Sequence, residues 1–320
     1  MGAWKLWSDD VEAMREEARA TVDAGPPFGF GDREPDPTLS RAERLRIERE
    51  NMDAQVVRAP EAIERRIEGV RCRVFMPDGP ARAIYLHFHG GGMVTGSADM
   101  MDIPNVMTAR DHQVVVVSVD YRKAPEHPFP AGPDDGVAVA RWLLEHGADE
   151  FGASQLMIGG ESAGGYMTGI VALRIRDELH AIDRVIGCNM VFPVLDWGMS
   201  PSQRGMRPHD GWDVLSPEGI DFFTDCFLPD RTPDERRAPD ISPAFADLRE
   251  FPPCLLSVGT CDHLLDDSLL FASRAAAAGV DVELFVAPEM PHAFMIFDCG
   301  ITKLWAQRTN EWIEEHLPAR

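Results

Sequence analysis

From residue 71 onward the chain switches repeatedly between two periodicities, and that alternation limits the folds open to it. RCRVFMP (71–77) alternates in polarity like a strand. AIYLHF (83–88), VVVVSVD (114–120), QLMIGG (155–160), VIGCNMVF (185–192), CLLSVG (254–259) and VELFVA (282–287) are short apolar runs with β-branched or aromatic residues. Between them lie segments of helical character: PDDGVAVARWLLEHG (133–147), residues 163–179, DDSLLFASRAAAAG (266–279) and KLWAQRTNEWIEEHL (303–317). Apolar strands separated by helices imply an α/β fold with a mostly parallel sheet covered on both faces.

Two stretches break the rhythm. Residues 1–55 hold two expected helices. The first covers 8–24, with Asp9 and Glu12 offering a capping box and Gly25 stopping the run. The second starts at Ser40, with Glu43 completing another capping box, and reaches about Met52. PPFGFGDREPDP (26–37) is the turn-rich connector between them. Residues 193–250 are rich in Pro, Asp and Trp and only weakly periodic. The expected organisation is therefore N-terminal cap helices at 1–55, core at 56–192, a cap insert with connecting segment at 193–250, and the rest of the core at 251–320. In an open α/β sheet the ligand crevice lies beyond the carboxyl ends of the strands. The two irregular segments are expected to meet there as a lid.

A net charge of −22 over 320 residues argues against non-specific attraction to nucleic acid or anionic membrane. The six cysteines (Cys72, Cys188, Cys226, Cys254, Cys261 and Cys299) form no C-x-x-C pair, so reduced thiols are expected in place of disulfides or a zinc site. The first twenty residues turn acidic early and lack the apolar run of a signal peptide, and no stretch approaches 18 apolar residues. A soluble, cytoplasmic protein without a membrane span is expected. A homodimer is left open.

GGESAGG (159–165) places one serine among residues with almost no side chain. Gly160-Glu161-Ser162-Ala163-Gly164 fits G-x-S-x-G between an expected strand and an expected helix, the context that gives the motif meaning. A nucleophile there sits on a sharp, strained turn that side chains at the flanking positions would obstruct. The helix that follows puts the Ala163 N–H near a developing oxyanion. The other reading of such a turn is purely structural.

His89-Gly90-Gly91-Gly92 follows the strand AIYLHF at once. Consecutive glycines let main chain approach a ligand and present N–H groups. The alternatives are a flexible loop, or a zinc pair from His87 and His89, for which no further ligands appear at useful spacing. His89 is expected to anchor the loop by hydrogen bonds. A nucleophilic serine needs a base, and the base an orienting acid. Of ten histidines, His292 in PEMPHAF stands after a late strand, and Asp262 in GTCDHLLDDS directly follows the strand before it. Asp266 and Asp267 fall where a helix should begin and read as capping residues.

HGGGM (89–93), DYRKAPEHPFPA (120–131), GGESAGG (159–165), SPAFADLREFPP (242–253), GTCDHLLDD (259–267) and MPHAF (290–294) occur in this order. Together they resemble the hormone-sensitive lipase family of α/β-hydrolases, in its bacterial carboxylesterase branch, from about residue 68 onward. The resemblance implies an eight-stranded sheet, a helical cap, and hydrolysis of short- to medium-chain acyl esters without a cofactor or metal. It places the nucleophile at Ser162, the acid at Asp262 and the base at His292, with oxyanion donors at the N–H groups of Gly91, Gly92 and Ala163. Two positions depart from the family's usual pattern: Lys123 replaces a leucine, and Glu161 replaces an aspartate or threonine. Glu161 is expected to hydrogen-bond nearby loops or, alternatively, to bear on the pH dependence of catalysis.

The same triad would serve an amidase or a deacetylase. A non-catalytic ligand receptor on the same fold is a third reading, against which the presence of His292 speaks. Met93, Phe30, Trp197, Trp212 and Phe223 are candidates for lining the pocket, and each could equally be core or cap packing. The expected partner is a small-molecule ester.

Overall fold

The computed structural model describes residues 6–25, 38–205 and 215–319. The connector 26–37 and the candidates Phe30 and Trp212 lie outside the described residues. Eight strands form one sheet: β1 (Ile63–Ile67), β2 (Val70–Phe75), β3 (Ile84–Phe88), β4 (Val115–Asp120), β5 (Leu156–Glu161), β6 (Val185–Val191), β7 (Cys254–Gly259) and β8 (Val282–Ala287). Their spatial order is β1-β2-β4-β3-β5-β6-β7-β8. β2 runs antiparallel to both neighbours, and all other pairings are parallel.

The helices are α1 (Asp9–Ala13), α2 (Arg15–Asp23), α3 (Arg41–Ala54), α4 (Asp102–His112), α5 (Ala131–Phe151), α6 (Ala163–Arg174), α7 (Pro217–Phe227), α8 (Pro233–Arg236), α9 (Leu265–Ala277) and α10 (Gly300–His316). Alternate residues of each strand serve opposite faces. Ile84, Leu86 and Phe88 of β3 share a core with Leu143 of α5, Ile170 of α6 and Phe271 of α9. Tyr85, on the other face, packs with Val106 of α4 and Trp312 of α10. Burial on both sides is why β3 and β4 read as mostly apolar runs, each with a single buried polar residue, His87 and Ser118.

Strand β1 was not visible in the sequence. It is an edge strand whose Glu64 and Arg66 face solvent, while Arg65 on the opposite face lies over Trp142 and Phe151 of α5, so no apolar alternation shows. It turns into β2 through Glu68 and Gly69, both at positive φ (50° and 82°), the backbone of a tight hairpin. Helix α4 also went unforeseen. It contains Pro104, exposes Ile103 and Met107, and buries Asp102, Asn105 and His112, which inverts the usual amphipathic pattern. Asp102 is held there by Arg73 and the Ala59 N–H, and His112 by Glu314 (2.9 Å) and Asn310 (3.1 Å).

Three local expectations need correction. The expected helix 8–24 is two helices broken at Met14. Its cap is Ser8, whose Oγ accepts from the Val11 N–H; Asp9 lies inside the first turn. The Ser40–Glu43 capping box is present. Asp266 and Asp267 are not caps, because α9 starts after Leu264 without a side-chain cap. Asp267 is fully buried and accepts hydrogen bonds from the Leu195 and Asp196 N–H groups, Ser200 Oγ and Gln203 Nε2, while Asp266 accepts from the Ser202 N–H. The two carboxylates fasten the start of the 193–250 segment to α9.

The N-terminal helices were expected to pack on residues 193–250. Instead Val11, Ala18 and Val22 of α1 and α2 pack with Phe192, Met290, Phe294, Phe297 and Ile301, around the loop after β8. The hydrophobic stripe of α2 found its partner in the loop that carries His292. Arg49 of α3 reaches the Val94 and Ala124 carbonyl oxygens and Glu126. Among the described residues no helix is long and apolar enough to cross a membrane.

Candidate active site

The chain leaves β3 toward β4 on one side, and leaves β5 toward β6 on the other. A crevice opens where neighbouring strands send their connections in opposite directions. The HGGG loop follows β3 and the serine follows β5, so both edges of that crevice carry candidate chemistry.

Ser162 has φ 56° and ψ −115°, a conformation disfavoured for a residue with a side chain. Holding it there costs on the order of 1–3 kcal/mol, met by the surrounding packing. Close approach explains the small neighbours. A Cβ on Gly160 or Gly164 would collide with the Phe88 carbonyl oxygen, and one on Gly165 would lie 2.7 Å from Pro193. The Ser162 N–H is committed to the Val191 carbonyl (2.8 Å). Its hydroxyl points away from the sheet toward His292.

His292 Nε2 lies 3.0 Å from Ser162 Oγ, and His292 Nδ1 lies 2.8 Å from Asp262 Oδ2. Asp262 is buried, and its second oxygen accepts from the Leu264 N–H at 2.8 Å. With an ionised Asp262, Nδ1 carries the proton and Nε2 offers its lone pair to the serine hydroxyl. Phe192 meets the imidazole edge-on at 4.8 Å and limits how the ring can turn. The loops bearing the two residues are knitted together. The Cys261 N–H donates to the Met290 carbonyl (3.0 Å), and a Cβ on Gly259 would strike that same carbonyl.

On the other side, Gly90 touches the turn: a Cβ there would lie 3.1 Å from the Glu161 carbonyl oxygen and 3.5 Å from Ser162 Cβ. The Val94 and Thr95 N–H groups and the Thr95 hydroxyl all donate to the Gly91 carbonyl, curling the loop. The N–H groups of Gly91 and Gly92 meet no protein acceptor among the described residues. Gly91 has φ 120°, and an added Cβ would run into the Thr95 carbonyl. Gly91→Ala is therefore expected to displace the loop and lower kcat by about 10²–10³, the usual loss for one oxyanion donor. Steady-state turnover of an activated ester checks this, and an unchanged kcat would remove the loop from the chemistry.

His89 stacks on Tyr121 at a centroid distance of 4.3 Å and donates from Nδ1 to the Gly90 carbonyl (2.7 Å). Tyr121 OH donates to the His89 carbonyl. Burial, with Lys123 nearby, pushes its pKa down to about 3, so the ring stays neutral. Lys123 itself pairs with Asp120 at 3.0 Å. Glu161 accepts from His87 Nε2 (3.2 Å), and His87 Nδ1 accepts from the Ser118 hydroxyl (2.8 Å). The residue before the serine is thus tied through β3 to β4. Glu161 stood out in the sequence, but its partners on neighbouring strands did not.

Of the pocket candidates, Phe223 of α7 sits directly over the loop, its ring 2.5 Å from where a Cβ on Gly92 would be. Trp197 is buried edge-to-face against Tyr166 (5.4 Å) and beside Phe227 (5.0 Å), which makes it core packing. Met93 is also fully buried, with its methyl group against Gly132 of α5.

A mostly parallel eight-stranded sheet with a serine on so sharp a strand-to-helix turn defines the class of α/β-hydrolases. The sequence model of a family described by the alpha/beta hydrolase fold matches residues 85–296. The chain is 34% identical to the carboxylic ester hydrolase LipN of Mycobacterium tuberculosis over 255 residues, covering 76% of this chain and 65% of LipN. It is 34% identical to the carboxylesterase NlhH of the same organism over 220 residues, 67% of each chain. It also resembles the crystal structure of a hormone-sensitive lipase from a metagenome library. The TM-score is 0.74 at 30% identity, over 87% of this chain and 99% of that one. The chain belongs to the alpha/beta hydrolase fold family, among its hormone-sensitive-lipase-like esterases.

Proposed function

We propose that the protein is a cytoplasmic serine carboxylesterase acting on short- to medium-chain acyl esters. The carrying observation is the hydrogen-bonded line from Asp262 (2.8 Å) through His292 (3.0 Å) to a serine hydroxyl on a strained turn. Ser162 Oγ attacks the ester carbonyl carbon while His292 Nε2 takes its proton. Asp262 stabilises the resulting imidazolium, and the N–H groups of Gly91, Gly92 and Ala163 take up the charge on the carbonyl oxygen. Collapse expels the alcohol, protonated by His292, and leaves an acyl-enzyme. Water activated by the same imidazole then releases the acid.

The names of LipN and NlhH support ester hydrolysis in preference to amide hydrolysis. Phe223 over the oxyanion loop supports a limit on acyl length, with segment 193–250 acting as the roof of the crevice. Six cysteines outside any disulfide, five of them buried, support a reducing compartment. The test is a panel of p-nitrophenyl esters from acetyl to decanoyl beside the matching anilides. Turnover of the esters, peaking at acetyl to hexanoyl, is expected. Faster turnover of anilides would favour the amidase reading, and no turnover of either would count against an enzyme of this class.

A further inference from the structure

The loop that presents His292 is itself held in an uncommon conformation. It runs from the end of β8 at Ala287 to a short 3₁₀ turn at Phe294. Two of its residues with side chains have positive φ: Glu289 (64°), three residues before the histidine, and Ala293 (58°), directly after it. Neither is glycine, so contacts outside the loop must hold the backbone there.

Those contacts converge on Glu289. Its N–H donates to Thr260 Oγ1 at 2.8 Å. Its carboxylate, nearly buried, receives Arg15 Nε at 2.6 Å on one oxygen and Arg19 Nη2 at 3.1 Å on the other. Both arginines lie one turn apart on α2, some 270 residues away in sequence. Ala18 and Val22 of the same helix share an apolar cluster with Met290, the next residue of the loop. A carboxylate hydrogen-bonded by one guanidinium and ion-paired with a second is restrained at both oxygens, and so is the backbone that carries it.

We infer that Arg15 and Arg19 are positioning residues: by clamping Glu289 they fix the loop that sets His292 between Asp262 and Ser162. This rests on the serine-esterase reading, and it gives the N-terminal helices a role in the chemistry. They act on the base through the loop that carries it. An imidazole displaced by a fraction of an ångström loses alignment with both partners, which slows proton transfer in acylation and in deacylation alike. Substrate binding, which the clamp does not touch, is unaffected.

The test compares the full-length protein with the double variant Arg15→Gln/Arg19→Gln, with Glu289→Gln, with the triple combination, and with Arg15→Lys/Arg19→Lys. Turnover of p-nitrophenyl acetate and the rate of labelling at Ser162 by a fluorophosphonate are measured for each. The double variant and Glu289→Gln are each expected to lose about tenfold in kcat and in labelling rate, with KM unchanged within about twofold. The triple variant is expected to lose no more than either, because all three changes remove one interaction. The lysine pair, which keeps both charges, is expected to recover most of the loss. A loss that multiplies in the triple variant, falls on KM alone or is absent would overturn the clamp. A wild-type protein that labels at Ser162 but turns over no ester would sink the esterase reading, and the variants' labelling rates would still decide the clamp.

Discussion

Ser162→Ala is expected to lower kcat by about 10⁶, to the level left by binding and oxyanion contacts. The change removes the one atom the mechanism needs to bond to the acyl carbon. It is mild for the fold. Ser162 makes its backbone contacts through N–H and C=O, to Val191 and Tyr166, and alanine keeps both. Only the 3.0 Å contact of the hydroxyl with His292 disappears. Stability should therefore stay within about 1 kcal/mol of the parent. Turnover together with thermal unfolding separates the outcomes. Wild-type turnover in a folded variant would eliminate the serine as nucleophile.

Asp262→Asn is expected to cost about 10⁴ in kcat with little loss of stability. Asparagine offers an NH₂ to His292 Nδ1, which then must accept. The ring proton moves to Nε2, and the lone pair that should receive the serine proton is gone. Asp267→Asn, five residues on, should behave in the opposite way. Asp267 is a hub for donors from Leu195, Asp196, Ser200 and Gln203. An amide there turns two hydrogens toward existing donors, and each buried polar group left unpaired costs about 1–3 kcal/mol. A lower melting temperature with turnover retained at 25 °C is expected for Asp267→Asn. Equal losses of kcat at the two positions would show that the geometry at Asp262 is not what orients the base.

The parts of the site legible in the sequence were those that chemistry forces into a local pattern. Gly160 and Gly164 flank Ser162 because their Cβ positions are occupied by the Phe88 carbonyl. That constraint is written within five residues. Asp262 and His292 lie in the loops that follow β7 and β8, and that place after two late strands singled them out. The sheet was legible where both faces are buried, as in β3 and β4, and illegible at β1, where solvent-facing charges mask the alternation.

What stayed hidden depends on contacts between distant segments. Nothing near Glu161 announced His87, which reaches it from β3 and is itself held by Ser118 of β4. Nothing near Asp267 announced the loop it holds. The Arg15–Glu289 contact spans 274 residues, so the sequence offered only an amphipathic helix in need of a partner. The expected meeting with residues 193–250 does not hold for α1 and α2, since hydrophobicity fixes that a face must be covered but not by what. Trp197 and Met93 illustrate the same limit. A large apolar side chain beside a candidate site reads alike whether it faces substrate or core.

The central claim is that Ser162 forms the covalent intermediate. The most direct measurement reacts the wild-type protein with diethyl p-nitrophenyl phosphate and follows activity alongside peptide mass spectrometry. One diethylphosphoryl group per chain is expected on the peptide containing Ser162, rising in step with the loss of esterase activity. Full modification of Ser162 with undiminished turnover, or loss of activity with Ser162 unmodified, would contradict the account.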